Sequence, residues 1–285
     1  MIEFKGKVAV VTGAASGIGR AMADRFAREG MNIVLADIED SALSAAVDEM
    51  KSSGASVIGV KTDVARQDQL DALAARTISE FGAVHILCNN AGVGGDAGPI
   101  WELELETWKW VLGVNLWGVI HGIRSFVPAM IKHGSDGHVV NTASMAGFLS
   151  VPYIAPYHTT KHAVVSLSEA LHHELQIAGS KIRVSVLCPS FVRTNIMESQ
   201  RNRPADLRVA EREKTPAELA LDAAIRGGVE SGIPPSDVAD TVFNAISKEQ
   251  FYIFPHPEAL ESYRTYTSDV LEQRNPALRL EELSK

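Results

Sequence analysis

The sequence predicts an α/β fold in which a parallel sheet carries helices on both faces. Short apolar runs rich in valine and isoleucine alternate along the chain with segments of helical periodicity. Several runs are apolar throughout, which is typical of strands covered on both sides. Strands that alternate with helices form a parallel, doubly wound sheet. The predicted strands are 7–11, 32–37, 56–60, 84–88, 138–144, 181–188 and 251–254.

The helices between these runs are predicted from the spacing of apolar residues. In the segment 69–81 such residues stand three and four positions apart, which gives one apolar stripe along a helix. The stripe consists of Leu70, Leu73, Thr77, Ile78 and Phe81. Another helix is predicted over 236–246, because two prolines precede the capping-type residues Ser236 and Asp237 and apolar residues follow at helical spacing.

Composition indicates a globular protein and excludes several classes of function. The 285 residues are 46% hydrophobic and 22% charged, which is enough for a sizeable core. The net charge is −8 and the 27 basic residues are dispersed, so we expect no nucleic-acid partner. No window reaches about 18 consecutive apolar residues, so no membrane span is predicted. The first residues lack the long apolar segment of a signal peptide.

The two cysteines, Cys88 and Cys188, each end an apolar run. We interpret them as buried, reduced thiols of a cytoplasmic protein, and we predict no disulfide and no metal site. Residues 1–285 contain no internal repeat or low-complexity linker, so one domain is predicted.

Two stretches are longer than an ordinary connection. One is an insertion at about 190–235, and the other is a C-terminal extension at about 255–285. The insertion is either a solvated helical segment or a lid over a ligand, and the lid is favoured. For the extension, the edge of a lid and a subunit contact are equally good interpretations.

The first predicted strand runs into a glycine-rich turn that opens a helix. The sequence TGAASGIG contains Gly13, Gly17 and Gly19. Glycines let the backbone turn sharply and approach a pyrophosphate, and the helix N-terminus adds partial positive charge. A glycine cluster alone is a weak signal, but its place between a strand and a helix strengthens it. We therefore predict a dinucleotide site at this turn, which includes Ser16 and Ile18.

Asp37 ends the second strand and lies 24 residues after Gly13. An acid at this place accepts hydrogen bonds from the adenosine ribose and repels a 2′-phosphate. No arginine or lysine occupies positions 14–16 or 38, where it could bind that phosphate. NAD is therefore favoured over NADP. Asp37 also suits the N-cap of the following helix, a role compatible with cofactor binding.

The stretch VPYIAPYHTTKHAVV carries two tyrosines and a lysine at helical spacing. Pro156 suits the first turn of a helix. A helix that starts there puts Tyr157 and Lys161 on one face, about 6 Å apart along the axis. Tyr153 then lies in the loop before the helix. The spacing alone is common by chance and would usually mark a solvated surface.

A phenol beside an ammonium group can act as an acid or a base. A free phenol has a pKa near 10, which is poorly suited to a base at neutral pH. A positive charge at roughly 5 Å, with an effective dielectric of about 20, favours the phenolate by about 3 kcal/mol, or about two pKa units. Burial acts in the opposite direction. We expect Lys161 to lower the pKa of Tyr157 enough for proton exchange with an alcohol or carbonyl.

Ser144 ends the fifth predicted strand and precedes Tyr157 by thirteen residues. The carboxyl ends of parallel strands are where such sheets bind ligands, so a serine there can hold the oxygen atom of a substrate. A serine-hydrolase site is disfavoured, because TASMA lacks the glycine that precedes the serine of a nucleophile elbow.

These motifs together resemble the short-chain dehydrogenase/reductase family in its one-domain form. The set is TGAASGIG, NNAG at 89–92, VNLWG at 114–118, Ser144 and YHTTK at 157–161, and it follows the family's order. The likeness runs from about residue 5 to 254, and the motifs are highly specific as a set. It implies a Rossmann-type, seven-stranded parallel sheet in three α/β/α layers. It also implies an NAD-dependent oxidoreductase that interconverts a secondary alcohol and its ketone.

The resemblance further implies a role for each residue. Tyr157 would be the catalytic acid/base, and Lys161 would lower its pKa and bind the nicotinamide ribose. Ser144 would orient the substrate oxygen. Asn115 would hold a water that links Lys161 to solvent, although it equally suits a bond to the backbone at a helix kink. The further cofactor contacts implied are Asp63, Val64, Asn90, Val192 and Thr194.

One position departs from the family's pattern. In CPSFVRT, Ser190 stands where the family usually has glycine, and we expect it to stiffen or shift the loop while activity is kept. The substrate pocket is expected to form from 92–100, 145–153 and the insertion. Four apolar or aromatic residues of these segments favour a bulky or aromatic secondary alcohol: Phe148, Tyr153, Phe191 and Met197.

Four tryptophans lie close together in the chain: Trp101, Trp108, Trp110 and Trp117. They suit either helix packing or a subunit interface, and the resemblance implies a homodimer or homotetramer. Two other functions stay open, a non-catalytic NAD-binding sensor and an NADP-dependent carbonyl reductase on the same fold. A nucleotide-sugar epimerase or dehydratase is disfavoured, because the spacing TGxxGxxG and a longer substrate domain are missing.

Overall fold

A central sheet dominates the computed structural model, which describes residues 3–210 and 212–277. Its strands are β1 (Val8–Thr12), β2 (Asn32–Asp37), β3 (Val57–Lys61), β4 (Ile86–Asn89), β5 (Gly137–Thr142), β6 (Ile182–Leu187) and β7 (Tyr252–Ile253). The spatial order is β3-β2-β1-β4-β5-β6-β7, and every neighbouring pair is parallel. The predicted strands are confirmed, with ends that shift by at most two residues.

Helices cover both faces of this sheet. They are α1 (Gly17–Arg28), α2 (Asp40–Ser52), α3 (Gln67–Phe81), α4 (Leu105–Leu112), α5 (Gly118–His133), α6 (Ala155–Ile177), α7 (Pro216–Ser231), α8 (Pro235–Ser247) and α9 (Leu260–Leu271). Buried side chains of α1, α2 and α8 form one core with one face of the sheet. Those of α3, α5 and α6 form a second core with the other face. The three-layer, Rossmann-type α/β/α arrangement is therefore confirmed.

Neighbouring strand residues belong to different cores because side chains alternate along a strand. Val8 and Val10 of β1 pack with α3, α5 and α6, whereas Ala9 and Val11 pack with α1, α2 and α8. Both sets are buried. This two-sided burial is the reason why the strand sequence is apolar throughout instead of alternating.

Two details of the predicted helices are wrong. Ile78 is 38% exposed, and Ala74 joins Leu70, Leu73 and Thr77 in the buried stripe of α3. At about 100° per residue, position 78 lies about 80° away from position 70, at the border of the stripe. The eighth helix begins at Pro235 after the cap residue Pro234, so Ser236 and Asp237 lie inside its first turn. Proline suits that first position because it has no amide hydrogen to leave unpaired.

Within the described residues, the insertion and the extension are largely helical or turn structure. Residues 190–235 contain the short turns Ile196–Asn202 and Ala205–Leu207 and then α7. Thr215 and Glu218 form a reciprocal cap at the start of α7. In the extension, α9 packs against the loop after β5, where the rings of Tyr263 and Phe148 lie 4.9 Å apart. Within the described ranges, no helix combines the length and the apolar character that crossing a membrane needs.

Packing between β4 and α5 depends on a glycine. A side chain at Gly122 would overlap the amide of Asn89, with Cγ only 2.9 Å from the added carbon. The Asn89 amide donates in turn to Asn141 Oδ1 at 2.9 Å, so it is held across the sheet and cannot move aside freely. Gly122 thus sets how closely α5 approaches the strand that leads into the predicted site.

We expect Gly122→Ala to lower the free energy of unfolding by about 1–3 kcal/mol, because overpacking outweighs the better helix propensity of alanine. The matched control is Gly227→Ala in α7, where an added carbon meets nothing within 4 Å. That variant should be unchanged or more stable by up to about 1 kcal/mol. Urea unfolding of both variants measures the difference. Equal stability of the two would contradict the close approach of α5.

Candidate active site

The glycine turn between β1 and α1 has the geometry that the sequence predicted. Gly13 and Gly17 adopt φ of +63° and +57°, in the left-handed region that favours glycine. A side chain on Gly19 would lie 2.6 Å from the Asn90 amide, so the turn is also too close for a larger residue. Ser16 caps α1 without a side-chain hydrogen bond, which leaves the first amides of the helix without a side-chain acceptor from the cap.

Asn90 and Thr12 tie the glycine turn to the end of β4. The Thr12 hydroxyl accepts from the backbone amides of Asn90 and Ala91 at 2.9 and 3.1 Å. The Asn90 side chain donates to Thr12 O at 3.0 Å. Asn90 therefore supports the wall of the turn. Thr194 lies close to Gly17. A side-chain carbon added at Gly17 would be 3.2 Å from the Thr194 methyl group.

Asp37 links the end of β2 to the same turn. Its carboxylate accepts from Ala15 N at 2.9 Å and from Glu39 N at 3.0 Å. The N-cap of α2 is Glu39, so the alternative role of Asp37 as the cap is wrong. The bond to Ala15 holds an acidic group directly beside the glycine turn.

A cavity of about 160 Å³ lies beside Asp37 and the glycine turn. It brings together five predicted cofactor residues, Gly13, Ser16, Asp37, Asp63 and Val64. Asp63 accepts from Ala65 N at 3.0 Å. Eight other predicted cofactor residues do not line it: Gly17, Ile18, Gly19, Asn90, Tyr157, Lys161, Val192 and Thr194. Ile18 packs against the core of α1, α2 and α8, and buried Val192 pairs with Ile233 through a parallel bridge.

Tyr157 and Lys161 lie one turn apart on α6, as predicted. Lys161 Nζ is 5.5 Å from the centroid of the Tyr157 ring. The lysine is buried, and its Nζ donates to Thr142 O at the end of β5, at 2.9 Å. Tyr153 lies before the helix, with φ of +69°. Only Tyr157 is therefore held rigidly beside the lysine.

The pKa of Tyr157 is raised in the protein, whereas the sequence predicted that Lys161 would lower it. Burial raises the pKa of Tyr157 above its ordinary value, and a hydrogen bond with Ser144 offsets this only in part. Burial also lowers the pKa of Lys161 to about 8, while the nearby Cys188 acts weakly in the other direction. Desolvation is thus the dominant cause of both shifts, and the phenol is protonated at neutral pH.

Ser144 lies two residues after β5 and begins a short turn. Its hydroxyl accepts from Ala146 N at 3.1 Å and donates to Pro189 O at 3.2 Å. The serine is thus fixed between the end of β5 and the loop after β6. Because its hydroxyl also interacts with the Tyr157 phenol, three predicted residues, Ser144, Tyr157 and Lys161, meet at the carboxyl edge of the sheet.

Asn115 lies in a π-helical turn, Gly113–Trp117, that joins α4 to α5. Its side chain accepts from Val93 N at 2.8 Å and donates to Val93 O at 2.9 Å. A longer bond of 3.4 Å reaches Thr160, which precedes Lys161. The interpretation that Asn115 bonds to the backbone at a helix kink is confirmed. Such turns are frequent at functional sites.

The expected pocket residues are dispersed around the site. Phe148 packs against Phe254 and Tyr263 in an aromatic cluster. The carbonyl of Tyr153 accepts from Gly98 N at 2.7 Å, and the ring of Phe191 packs on Gly228. Of the four tryptophans, Trp110 is buried, Trp108 is half-buried, and Trp101 and Trp117 are exposed.

Sequence reasoning missed a histidine that holds the loop after β6. His256 Nδ1 accepts from Ser190 N at 3.1 Å, and its Nε2 lies 3.0 Å from Phe191 O. These partners require a neutral ring with the hydrogen on Nε2. Ser190, which departs from the family's glycine, is therefore held by the extension. The only sequence signal is a histidine between two prolines, which does not reveal its partner.

Lys161 makes the stability of the protein depend on pH in a defined direction. Its pKa falls from 10.5 to about 8 on folding, so the unfolded chain binds more protons between these values. The contribution of Lys161 to stability must therefore rise with pH across this interval. We expect the parent to gain about 2–3 kcal/mol relative to Lys161→Met between about pH 8 and 10.5.

Urea unfolding of both proteins along a pH series measures this difference. Lys51→Met, at an exposed position on α2, is the control and should follow the parent at every pH. If the difference in the free energy of unfolding between the parent and Lys161→Met stayed the same at every pH, folding would not lower the pKa of this amine. That result would contradict the prediction.

Comparison with known proteins identifies the family. The family described as short chain dehydrogenase matches residues 7–205. A short chain dehydrogenase/reductase from Burkholderia phymatum, solved in complex with NAD, is 48% identical, with a TM-score of 0.94 and coverage of 97% of this chain and 98% of that chain. The 1-deoxy-11-beta-hydroxypentalenate dehydrogenase of Streptomyces exfoliatus is 35% identical over 94% of this chain and 90% of its own length.

A cyclohexanol dehydrogenase of Acinetobacter sp. is 35% identical over 68% of this chain and 76% of its own length. The family match covers the glycine turn, Ser144 and the Tyr157–Lys161 pair, and the relatives extend over most of the chain. The protein therefore belongs to the short-chain dehydrogenase/reductase family and is an oxidoreductase that acts on CH–OH donors.

Proposed function

We propose that this protein is an NAD-dependent dehydrogenase that interconverts a bulky, apolar or aromatic secondary alcohol and its ketone. The observation that carries the proposal is the meeting of Ser144, Tyr157 and Lys161 at the carboxyl edge of the sheet. A hydroxyl, a phenol and a buried amine within one small region are what proton transfer to a carbonyl oxygen needs.

Tyr157 acts as the acid or base in this proposal. The phenol is protonated at neutral pH, and burial raises its pKa further, so it is ready to donate to the oxygen of a ketone. In the direction of alcohol oxidation the same phenol must first lose its proton, and the adjacent ammonium of Lys161 favours the anion. Ser144 turns its hydroxyl from Pro189 O to the substrate oxygen, which it orients, and Asn115 supports the helix turn beside Lys161.

The glycine turn and the cavity beside it fit a dinucleotide. Gly13, Gly17 and Gly19 leave room where side chains would clash, and the amides that start α1 suit a pyrophosphate. Asp37, Asp63 and Val64 would hold the adenosine half. Asn90 would lie against the same adenosine side. Val192 and Thr194 would contact the nicotinamide, and Tyr157 and Lys161 would bind the nicotinamide ribose. A bound nicotinamide supplies the hydride acceptor.

An acidic group near the adenosine side favours NAD over NADP. Asp37 lines the cavity, and a 2′-phosphate would meet its negative charge, whereas Glu39 is paired with Arg201. The related Burkholderia phymatum structure contains NAD, which agrees with this preference. An NADP-dependent carbonyl reductase is the alternative. A non-catalytic NAD sensor is less well supported, because binding NAD alone does not need a phenol and an amine at a substrate site.

The substrate class is inferred from the apolar residues around the site and from the relatives. Phe148 and its aromatic neighbours lie beside the loop that carries Ser144. One relative is named for cyclohexanol and another for a hydroxypentalenate, both of them cyclic compounds. A cyclic or aromatic secondary alcohol is therefore the first class to test.

The proposal includes three further expectations about the protein as a whole. Residues 1–285 would act as one domain, with 190–235 and 255–285 as the insertion and the extension. Buried thiols at Cys88 and Cys188 suit a reducing, cytoplasmic environment. Exposed Trp117 on the helix junction suits an interface of a homodimer or homotetramer.

We expect Tyr157→Phe to lower the rate of NAD-linked alcohol oxidation by about 10²–10⁴-fold, because general acid–base transfer is lost while the ring and the fold are kept. Absorbance of reduced nicotinamide follows the reaction over a panel of secondary alcohols that includes cyclohexanol, benzylic and straight-chain compounds. Parallel assays with NADP test the cofactor preference.

Tyr266→Phe is the matched control, since it removes a hydroxyl from an exposed tyrosine of α9. Its turnover should equal that of the parent. Parent-like turnover by Tyr157→Phe would refute the assignment of the acid/base. Binding of NAD without oxidation of any alcohol in the panel would favour the sensor.

A further inference from the structure

A buried histidine next to Tyr157 holds the segment that carries Ser144. His158 lies on α6 directly after the tyrosine and is only 6% exposed. Its ring contacts the backbone of residues 144–151, here named the serine loop, which lead from the end of β5 towards α6. The proposed function leaves this histidine without a role.

Both ring nitrogens of His158 are bonded to the serine loop. Nε2 accepts from Val151 N at 3.2 Å, so the ring hydrogen lies on Nδ1, which donates to Ala146 O at 3.1 Å. Burial lowers the pKa of His158 below its ordinary value, which keeps the ring neutral and this pattern of bonds intact at neutral pH. The histidine thus fastens the loop to α6 at two points.

The bond to Ala146 bears directly on the serine. Ala146 N donates to Ser144 Oγ at 3.1 Å, while the carbonyl of the same alanine accepts from His158. The hydroxyl hydrogen of Ser144 is directed elsewhere, to Pro189 O at 3.2 Å. The serine oxygen can therefore stay fixed by Ala146 while its hydrogen turns from Pro189 O to a substrate oxygen, as the proposed function requires.

The serine loop also packs directly on the helix. A side chain at Gly147 would lie 2.8 Å from the Lys161 carbonyl and 2.8 Å from Val165 Cγ2. The backbone of the loop therefore has no room to move towards α6, and the two bonds from His158 keep it from moving away.

Tyr157 reaches the same serine from the helix. Its phenol forms a hydrogen bond with the Ser144 hydroxyl, and the peptide link joins the tyrosine to His158. The bonds thus form a closed circuit of four residues: Ser144, Ala146, His158 and Tyr157. Such a circuit fixes the separation of the phenol and the serine oxygen, because neither group can shift alone without lengthening a bond.

We propose that His158 is a positioning residue that acts through Ala146 to hold the Ser144 hydroxyl at the distance from the Tyr157 phenol that proton transfer needs. The inference rests on the proposed function, which gives Ser144 and Tyr157 their tasks. Because His158 does not line the cavity beside Asp37, its replacement changes turnover and leaves the binding of the dinucleotide unchanged.

Two amide substitutions separate the two bonds of the ring. Asparagine places its amide near the position of Nδ1, so His158→Asn can still donate to Ala146 O. Glutamine places its amide near Nε2, so His158→Gln can still accept from Val151 N but loses the bond to Ala146. We expect His158→Gln to lower kcat by about 10–100-fold, because a small misplacement of the hydroxyl slows the chemical step, and His158→Asn to keep most of the parent's rate.

The measurements are kcat and KM for an alcohol that the parent oxidises, the dissociation constant of NADH from its fluorescence, and thermal unfolding of each variant. The dissociation constant should stay at the parent's value in both variants. A double-mutant cycle with Ser144→Ala shows whether the histidine acts through the serine. In the Ser144→Ala protein, His158→Gln should lower kcat far less than it does in the parent.

His162→Gln is the matched control, one turn further along α6. The Nδ1 atom of His162 bonds to the His158 carbonyl within the helix, at 3.0 Å, instead of to the serine loop. Its kcat should equal that of the parent. An equal loss in His162→Gln would show a general disturbance of the helix and overturn the inference.

Three other outcomes would also overturn it. Parent-like kcat in His158→Gln would mean that the bond to Ala146 does not position the serine. Equal losses in His158→Asn and His158→Gln would mean that this bond is not the one that matters. A loss of undiminished size in the Ser144→Ala protein would mean that the histidine acts independently of the serine. Failure of the parent to oxidise any alcohol would refute the proposed function as well, and so is distinguished from failure of this inference alone.

Discussion

The bond between the buried amine of Lys161 and the carbonyl of Thr142 fixes the relation between α6 and the end of β5. A buried ammonium is costly unless it is hydrogen-bonded, and this carbonyl lies within 2.9 Å. Tyr157 stands one turn before the lysine, and Ser144 follows Thr142 by two residues. The contact therefore sets the distance between the phenol and the hydroxyl, and both would shift if α6 moved along the strand.

The parallel sheet makes this arrangement possible because all its strands end at the same edge. The loops after β1, β3, β4, β5 and β6 and the last residue of β2 all contribute predicted site residues, although they come from widely separated parts of the chain. Two polar side chains then fix the loops to each other. Asn115 binds the backbone after β4, and His256 binds the backbone after β6. The site is thus built mainly by hydrogen bonds from side chains to backbone.

Burial changes the chemistry that spacing suggests. A distance of about one helical turn between a phenol and an ammonium predicts an acidic phenol when the medium is polar. In the protein the amine is buried and the tyrosine is partly buried, and desolvation disfavours the charged form of each, so the pKa of Tyr157 rises and that of Lys161 falls. The sequence correctly predicted that Tyr157 and Lys161 lie one helical turn apart. The direction of the pKa shift of Tyr157 depends on the atoms that exclude water from it.

The amino-acid sequence by itself determined the elements and the main motifs. These features are the apolar strand runs, the glycine turn and the Tyr157–Lys161 spacing. Each depends only on residues that are close together in the chain, so it can be recognised without knowing how the elements pack. Only the tertiary structure decided that Ile78 is exposed, that His256 holds Ser190, and that Arg201 reaches Glu39 across the cavity. The physical reason is that contacts between distant segments, and the desolvation that comes with them, depend on how elements pack and leave no periodic pattern in the chain.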